Sequence, residues 1–299
     1  MKLLITGASG FIGRHVLSQC QADYVEIHAI SRQPHESLAH VQWHQLDFFD
    51  HESLHNLLRQ TKPTHLMHLA WCTKPGQYWT SPDNERWLTS SLILVRSFFE
   101  LGGVRFVGAG SCAEYEWNNV VCREGATPLL PQSVYGSSKC KLFEALEQLN
   151  RQGASCAWGR VFWTYGPGED RGRLVPFVIN NLLKKEIARC SSGSQIRDYM
   201  HVADVAAAFK TLIHSDVKGA VNIGSGHAIS VRDLVNFIAN ELDARDLVQF
   251  AAQTATVDGA DIVSADVGKL NALGFKPRID LSSGIDGTIK WWQTIGAGS

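Results

Sequence analysis

The chain has 299 residues, with 28 Lys+Arg against 29 Asp+Glu, a formal net charge of −1, and hydrophobic and charged shares of 44% and 19%. That length supports one large α/β domain or two smaller ones with ample core. Near-neutral charge without a basic run excludes a nucleic-acid footprint, and no apolar stretch reaches membrane-spanning length.

The N-terminus, MKLLITGASG, runs straight into a strand and a glycine turn with no leader-like apolar region, so the chain is read as cytoplasmic and unprocessed. Strands are predicted at 2–6, 25–30, 41–46, 65–70, 104–110 and 156–163, with a shorter one at 220–224. Helical periodicity falls between them at 11–20, 51–60, 84–101 and 135–150. This alternation implies right-handed βαβ units around a parallel sheet buried on both faces. After YGPGEDRGR (165–173) helices dominate, at 174–186, 202–214, 230–241 and 282–293. The expected fold is α/β, a Rossmann-type doubly wound parallel sheet over 1–164 to which 201–220 returns. Residues 165–299 are expected to form an interleaved, smaller, mostly helical substrate lobe over the C-terminal strand ends, where ligands bind in such sheets.

The seven cysteines are widely spread and include no C-x-x-C pair, which excludes a disulfide framework and a zinc site. Most are expected to be small buried residues. His51 and His55 lie one helical turn apart and are read as a solvated helix face, while His65 and His68 point to opposite faces of a strand. No metal is expected.

TGASGFIG follows the first strand and opens the first helix, with glycines at Gly7, Gly10 and Gly13. A dinucleotide pyrophosphate needs unobstructed backbone N–H groups at a helix N-terminus, and this turn supplies them. The second strand ends in Ser31 and Arg32, with no acid there to hold the ribose 2′-OH of NAD. Arg32 suits the 2′-phosphate of NADP, so NADP is the expected cofactor, with NAD as the alternative. Asp47, after the third strand, is placed to bond adenine.

The helix YGSSKCKLFEALEQLN carries Tyr135, Lys139, Leu142, Leu146 and Leu149 on one stripe. A lysine continuing an apolar stripe needs a partner. Its ammonium, one turn from the phenol, is expected to lower the Tyr135 pKa and let the tyrosine exchange a proton with a substrate oxygen.

TGASGFIG, HLAW (68–71), YGSSK, YGPG, RDYMHVADVA (197–206) and VNIGSG (221–226) occur in an order that resembles the extended short-chain dehydrogenases/reductases. More narrowly, the chain resembles the NAD(P)-dependent nucleotide-sugar epimerase/dehydratase family, and within it the 4-keto-6-deoxy-sugar reductases. The resemblance implies cofactor contacts from Gly7, Ser9, Gly10, Phe11, Ile12, Gly13, Leu69, Ala70, Trp71, Tyr135 and Lys139. It also implies a homodimer built on the helices near 84–101 and 135–150. In AGSCAEYEW (109–117) it puts Cys112 where the family has a Ser or Thr that bonds the sugar C4 oxygen. A thiol is a weak donor, so either Ser111 turns in to replace it or Tyr135 works with a weak helper. Glu114 has the spacing of the base used by 4,6-dehydratases; a glutamate bonding backbone or a sugar hydroxyl is the other reading.

In the substrate lobe the resemblance implies Arg197 on the nucleotide diphosphate and Leu174 and Val175 on the nucleobase. A second phosphate-binding arginine is absent from QTATVDGADIVSADVGKL, and Trp163 replaces the family's asparagine. Arg171 or Arg173 is a candidate for the missing charge. Trp71, Trp79, Trp117 and Trp163 are expected near the cleft. The implied activity is an NADP(H)-dependent oxidoreductase acting at C4 of a nucleotide-activated sugar, with Tyr135, Lys139, Ser111, Cys112 and Glu114 as catalytic candidates. An epimerase or 4,6-dehydratase with tightly bound NAD is the first alternative. A non-catalytic dinucleotide sensor is the second.

Overall fold

The computed structural model of the protein describes every residue except 25, 37–39, 119, 253–261 and 297–299. The first half contains β1 (Lys2–Thr6), α1 (Phe11–Cys20), β2 (Glu26–Ser31), β3 (Val41–Gln45), α2 (His51–Thr61), β4 (His65–His68), α3 (Asp83–Glu100) and β5 (Arg105–Ser111). A 3₁₀ turn (Cys112–Glu114), β6 (Val120–Cys122), α4 (Val134–Arg151), β7 (Cys156–Val161) and β8 (Trp163–Tyr165) follow. The remainder holds α5 (Leu174–Leu183), β9 (Ala188–Cys190), β10 (Ile196–His201), α6 (Val202–His214), β11 (Gly219–Ile223), β12 (Ala228–Ser230) and α7 (Val231–Glu241). Last come β13 (Val248–Phe250), β14 (Ile262–Ala265), α8 (Gly268–Ala272) and α9 (Leu281–Gly296).

Seven strands pair in parallel in the order β11-β7-β5-β4-β1-β2-β3. Their apolar runs are buried on both faces because helices cover both sides. One face packs Val16 and Leu17 of α1 with Val205, Phe209 and Leu212 of α6. The other packs Leu54 and Leu58 of α2, Leu94 and Phe98 of α3, and Leu142 and Leu146 of α4. Each such side chain contributes about 1.5–3 kcal/mol by leaving water. The strand order reverses between β1 and β4, the switch point where ligands enter this kind of sheet.

The later region holds more strand than its helical pattern predicts, and it recruits β6 and β8 from earlier in the chain. β12, β10, β14 and β6 pair in that order, β8 adds to β10, and β9 pairs with β13. The stretch 156–163 divides at Phe162: β7 stays in the large sheet, while β8 pairs with β10, setting Trp163 opposite Tyr199. Helices α5, α7 and α9 share a separate core that includes Val178, Leu234 and Ile285. His51 and His55 are half-buried rather than fully solvated: they reach Ser90 and Ser97 of α3, at 2.8 and 3.4 Å. Residues 253–261, part of the stretch lacking the second arginine, lie outside the described residues.

Candidate active site

The switch point is built first from glycine. Gly7 takes φ +73°, and a Cβ there would come within 2.7 Å of Ala70 N. A Cβ on Gly13 would overlap the Gly7 carbonyl, so the helix packs tightly on the turn. Gly10 caps α1 with no side-chain hydrogen bond, and Ser9 and Gly10 are exposed while Phe11 and Ile12 are half-buried. Uncapped N–H groups at an accessible helix start fit the pyrophosphate of a dinucleotide.

Across the switch, Leu69 N donates to Thr6 O at 3.1 Å and Ala70 N to Thr6 Oγ1 at 3.3 Å. Trp71 Nε1 donates to Asn84 Oδ1 at 2.8 Å. His68 is clamped between Thr6 and Ser91, and burial, with Lys139 adding, holds its pKa down to about 3, so it is neutral. At the β2 edge Ser31 is buried, its Oγ accepting from Gln33 N at 3.1 Å and lying 3.1 Å from His35 Nε2. Arg32 is exposed, as is Asp47, whose carboxylate accepts from Phe49 N at 3.0 Å.

Ser133 caps α4 by accepting from Gly136 N, which starts the helix at the tyrosine. Tyr135 is 7% exposed, its ring edge-on to Tyr78 at 5.0 Å, Trp79 at 5.9 Å and Trp71 at 6.3 Å. Burial, reinforced by Tyr78, pushes its pKa up, while Ser111 opposes the shift. Lys139 is buried, donates to Ala109 O at 2.8 Å, and lies 3.7 Å from the Trp71 ring centroid but 5.8 Å from that of Tyr135. Burial lowers its pKa to about 7, against the pull of Glu114. The expected depression of the Tyr135 pKa by Lys139 is therefore not what this arrangement produces. Desolvation outweighs a cation whose nitrogen is engaged elsewhere.

The stretch 109–117 resolves into three distinct positions. Ser111 caps the 3₁₀ turn, accepting from Ala113 N at 3.2 Å, and is the group that opposes the upward shift of the Tyr135 pKa. Cys112 packs with Tyr115, Cys122 and Phe162 in an apolar cluster, and burial pushes its thiol up. Glu114 is 0% exposed and accepts from Ser111 N at 2.7 Å, Trp158 Nε1 at 2.9 Å and Arg160 Nε at 2.7 Å. A dehydration base has to reach a substrate carbon; this carboxylate is spent inside the protein, bonding the Ser111 backbone N–H as the second of the two readings had it, and does not stand as a base.

On the substrate side, Arg197 is 2% exposed, donates to Ile196 O at 3.0 Å, and lies 5.0 Å from the Trp163 ring and 5.8 Å from that of Trp117. Val175 is buried in the core of α5, α7 and α9, and Leu174 packs against it, so Val175 does not face a nucleobase as expected. Arg173 donates to Thr73 O at 2.8 Å and to Tyr78 Oη at 3.4 Å. Arg171 is exposed, its guanidinium 5.1 Å from the Trp292 ring. Sequence reasoning missed Tyr78 and Arg160. Tyr78 stands beside Trp79 in a loop after HLAW, an aromatic pair where a turn needs none, and that was the available signal.

The protein resembles several curated enzymes along its whole length. CDP-abequose synthase of Salmonella typhimurium is 25% identical, over 96% of this chain and 97% of that one. dTDP-glucose 4,6-dehydratase 1 of Escherichia coli is 27% identical, over 98% and 92%. The dTDP-4-dehydro-6-deoxyglucose reductase of Escherichia coli is 24% identical, over 96% of each. Among solved structures, MoeE5 in complex with UDP-glucuronic acid and NAD superimposes with a TM-score of 0.85 at 27% identity, covering 99% of this chain and 100% of that one. Residues 3–224 match the family described as NAD dependent epimerase/dehydratase. With that match spanning most of the chain, over a Rossmann sheet whose switch point carries the glycine turn, the protein belongs to the NAD dependent epimerase/dehydratase family of enzymes.

Proposed function

We propose that the protein reduces the C4 ketone of a nucleotide-activated 4-keto-6-deoxy sugar, using NADPH, with Tyr135 as the proton donor. The observation that carries this reading is the Tyr135–Ser111 pair. Tyr135 is buried among Trp71, Tyr78 and Trp79, which keeps its phenol protonated, and Ser111 at the end of β5 acts on that phenol. Reduction begins with a neutral phenol giving its proton to a developing alkoxide, whereas oxidation of a sugar alcohol begins with a phenolate. The engagement of Glu114 by Arg160 and Trp158 speaks against a 4,6-dehydratase, and the reductase among the relatives agrees with the direction.

When bound, the dinucleotide supplies the hydride. The residues of the chain do the rest. Gly7, Ser9, Gly10 and Gly13 hold the pyrophosphate at the start of α1, Lys139 reaches the nicotinamide ribose, and Ser31 and Arg32 hold the 2′-phosphate. Tyr135 Oη gives its proton to the sugar oxygen. Ser111 then stabilises the phenolate left behind, which differs from the carbonyl-polarising role expected of it. Cys112 serves as packing. Trp71, Tyr78 and Trp79 around the Tyr135 ring keep water out, which strengthens each of these bonds.

The rival is an epimerase that holds NAD and returns the hydride within one turnover; MoeE5 with NAD supports that cofactor. The experiment separating the two is to denature the purified protein, identify any released nucleotide, then titrate the empty form with NADPH and NADH. An empty site preferring NADPH supports the reductase. Released NAD supports the epimerase.

A further inference from the structure

Tyr135 is held by the loop between β4 and α3, through both backbone and ring. Trp79 O accepts from Tyr135 N at 3.1 Å, and Tyr78 stands edge-on to the Tyr135 ring, at 5.0 Å and 88°. Asn84, in the first turn of α3, fastens that loop from one side. It donates to Tyr78 O at 2.7 Å and accepts from Trp71 Nε1 at 2.8 Å.

A second fastening comes from the start of α5. Arg173 N donates to Asp170 O at 2.9 Å and Gly172 N to Asp170 Oδ1 at 2.8 Å, which closes a turn ahead of the helix. A Cβ on Gly172 would lie 3.4 Å from Pro75 Cβ, so this turn sits against the loop. From it Arg173 Nη2 donates to Thr73 O at 2.8 Å and Nη1 to Tyr78 Oη at 3.4 Å. The guanidinium lies 5.1 Å from the Tyr78 ring centroid. Leu174, the next residue, packs on the core shared by α5, α7 and α9, so the arginine is anchored at its base. A planar fork of donors at fixed angles suits holding a carbonyl and a hydroxyl together.

We propose that Arg173 is a positioning residue for Tyr135, acting through Tyr78 and its loop to set where the phenol stands. Its guanidinium is spent on the loop, which differs from the phosphate-binding charge expected of it. The assignment rests on the reading of Tyr135 as the proton donor. Transfer from a positioned donor is sensitive to placement, and an error of about 1 Å costs up to about a hundredfold in rate.

The test takes Arg173→Met, Arg173→Lys, Tyr78→Phe and the Arg173→Met/Tyr78→Phe double variant, labelled with 3-fluorotyrosine, to fluorine NMR. The Tyr135 resonance is the one lost in Tyr135→Phe. It is expected to shift in Arg173→Met and Tyr78→Phe, and less in Arg173→Lys, which keeps the charge without the fork. The Tyr24 resonance, away from the loop, is expected to stay in place and reports an intact fold. With NADPH and dTDP-4-keto-6-deoxyglucose, kcat is expected to fall about tenfold in each of Arg173→Met and Tyr78→Phe. The double variant is expected to fall no further than the worse single, because both act by one route. KM for the ketone and calorimetric affinity for CDP, dTDP and UDP are expected to stay within about threefold of wild type. A Tyr135 resonance unmoved in Arg173→Met, or losses in kcat that multiply, overturns the assignment. Nucleotide affinity lost in Arg173→Met but kept in Tyr78→Phe makes the guanidinium a phosphate ligand and also overturns it. If wild type reduces no ketone, the reductase reading falls, and the fluorine spectra decide the positioning by themselves.

Discussion

The Glu114 carboxylate and the Arg160 guanidinium meet at 2.7 Å with side chains 0% and 2% exposed. Breaking a buried pair leaves an uncompensated charge, which costs about 3–5 kcal/mol, whereas replacing both partners with apolar groups can be neutral. Glu114→Gln and Arg160→Met are each expected to lower unfolding free energy by that amount. The double replacement with Glu114→Leu is expected to cost less than the sum of the two singles. Chemical denaturation of the three variants measures this. A Glu114→Gln protein of unchanged stability but abolished turnover returns the residue to the role of a base.

Ser111 and Cys112 separate cleanly. Ser111→Ala removes the hydroxyl proposed to assist Tyr135 and is expected to lower kcat roughly a hundredfold, while Cys112→Ala stays within about threefold of wild type. Steady-state kinetics on the two variants decides between them. The reverse order of effects puts the thiol back in the site.

Much of this arrangement is readable in the chain, and the exceptions share a cause. The seven strands of the large sheet show as apolar runs because helices cover both its faces, and Asp50, Ser133 and Ser230 mark helix starts as N-caps. The second sheet was hidden because β8, β12 and β6 have three residues each, too few for any period to register. The partners that redefine Glu114 and Arg173 are distant in sequence. Arg160 lies 46 positions from Glu114, and Thr73 lies 100 from Arg173. Local spacing carries no signal for such contacts, so the sequence shows a glutamate at a base-like interval and leaves its ion pair invisible.

Lys139 gives a pH-dependent stability. Its pKa in the folded protein is about 7, against about 10.4 for a free lysine. Between those values the unfolded chain holds the proton that the folded protein has lost, so stability rises with pH across the window and the cost is full below about 7. Lys139→Met lacks this cost. Without cofactor, its Tm is expected to exceed that of wild type, by more at about pH 6 than at about pH 10. Thermal melts across pH measure the difference, and a constant difference contradicts the shift.

Arg32 is the basic group at an edge without an acid. Arg32→Ala is expected to weaken NADPH binding roughly 10–100-fold, since a charged hydrogen bond is worth about 1.5–3 kcal/mol, while NADH stays within about threefold. Fluorescence titration of the two nucleotides reads both constants. Equal weakening of the two places the 2′-phosphate elsewhere.

The most direct test of the central claim is the nicotinamide absorbance when the protein is mixed with NADPH and dTDP-4-keto-6-deoxyglucose. Wild type is expected to consume one NADPH per ketone reduced. Tyr135→Phe is expected to bind NADPH normally yet turn over roughly a hundredfold more slowly or worse. Product formed with no net change in the nicotinamide, or a Tyr135→Phe protein as fast as wild type, contradicts the account.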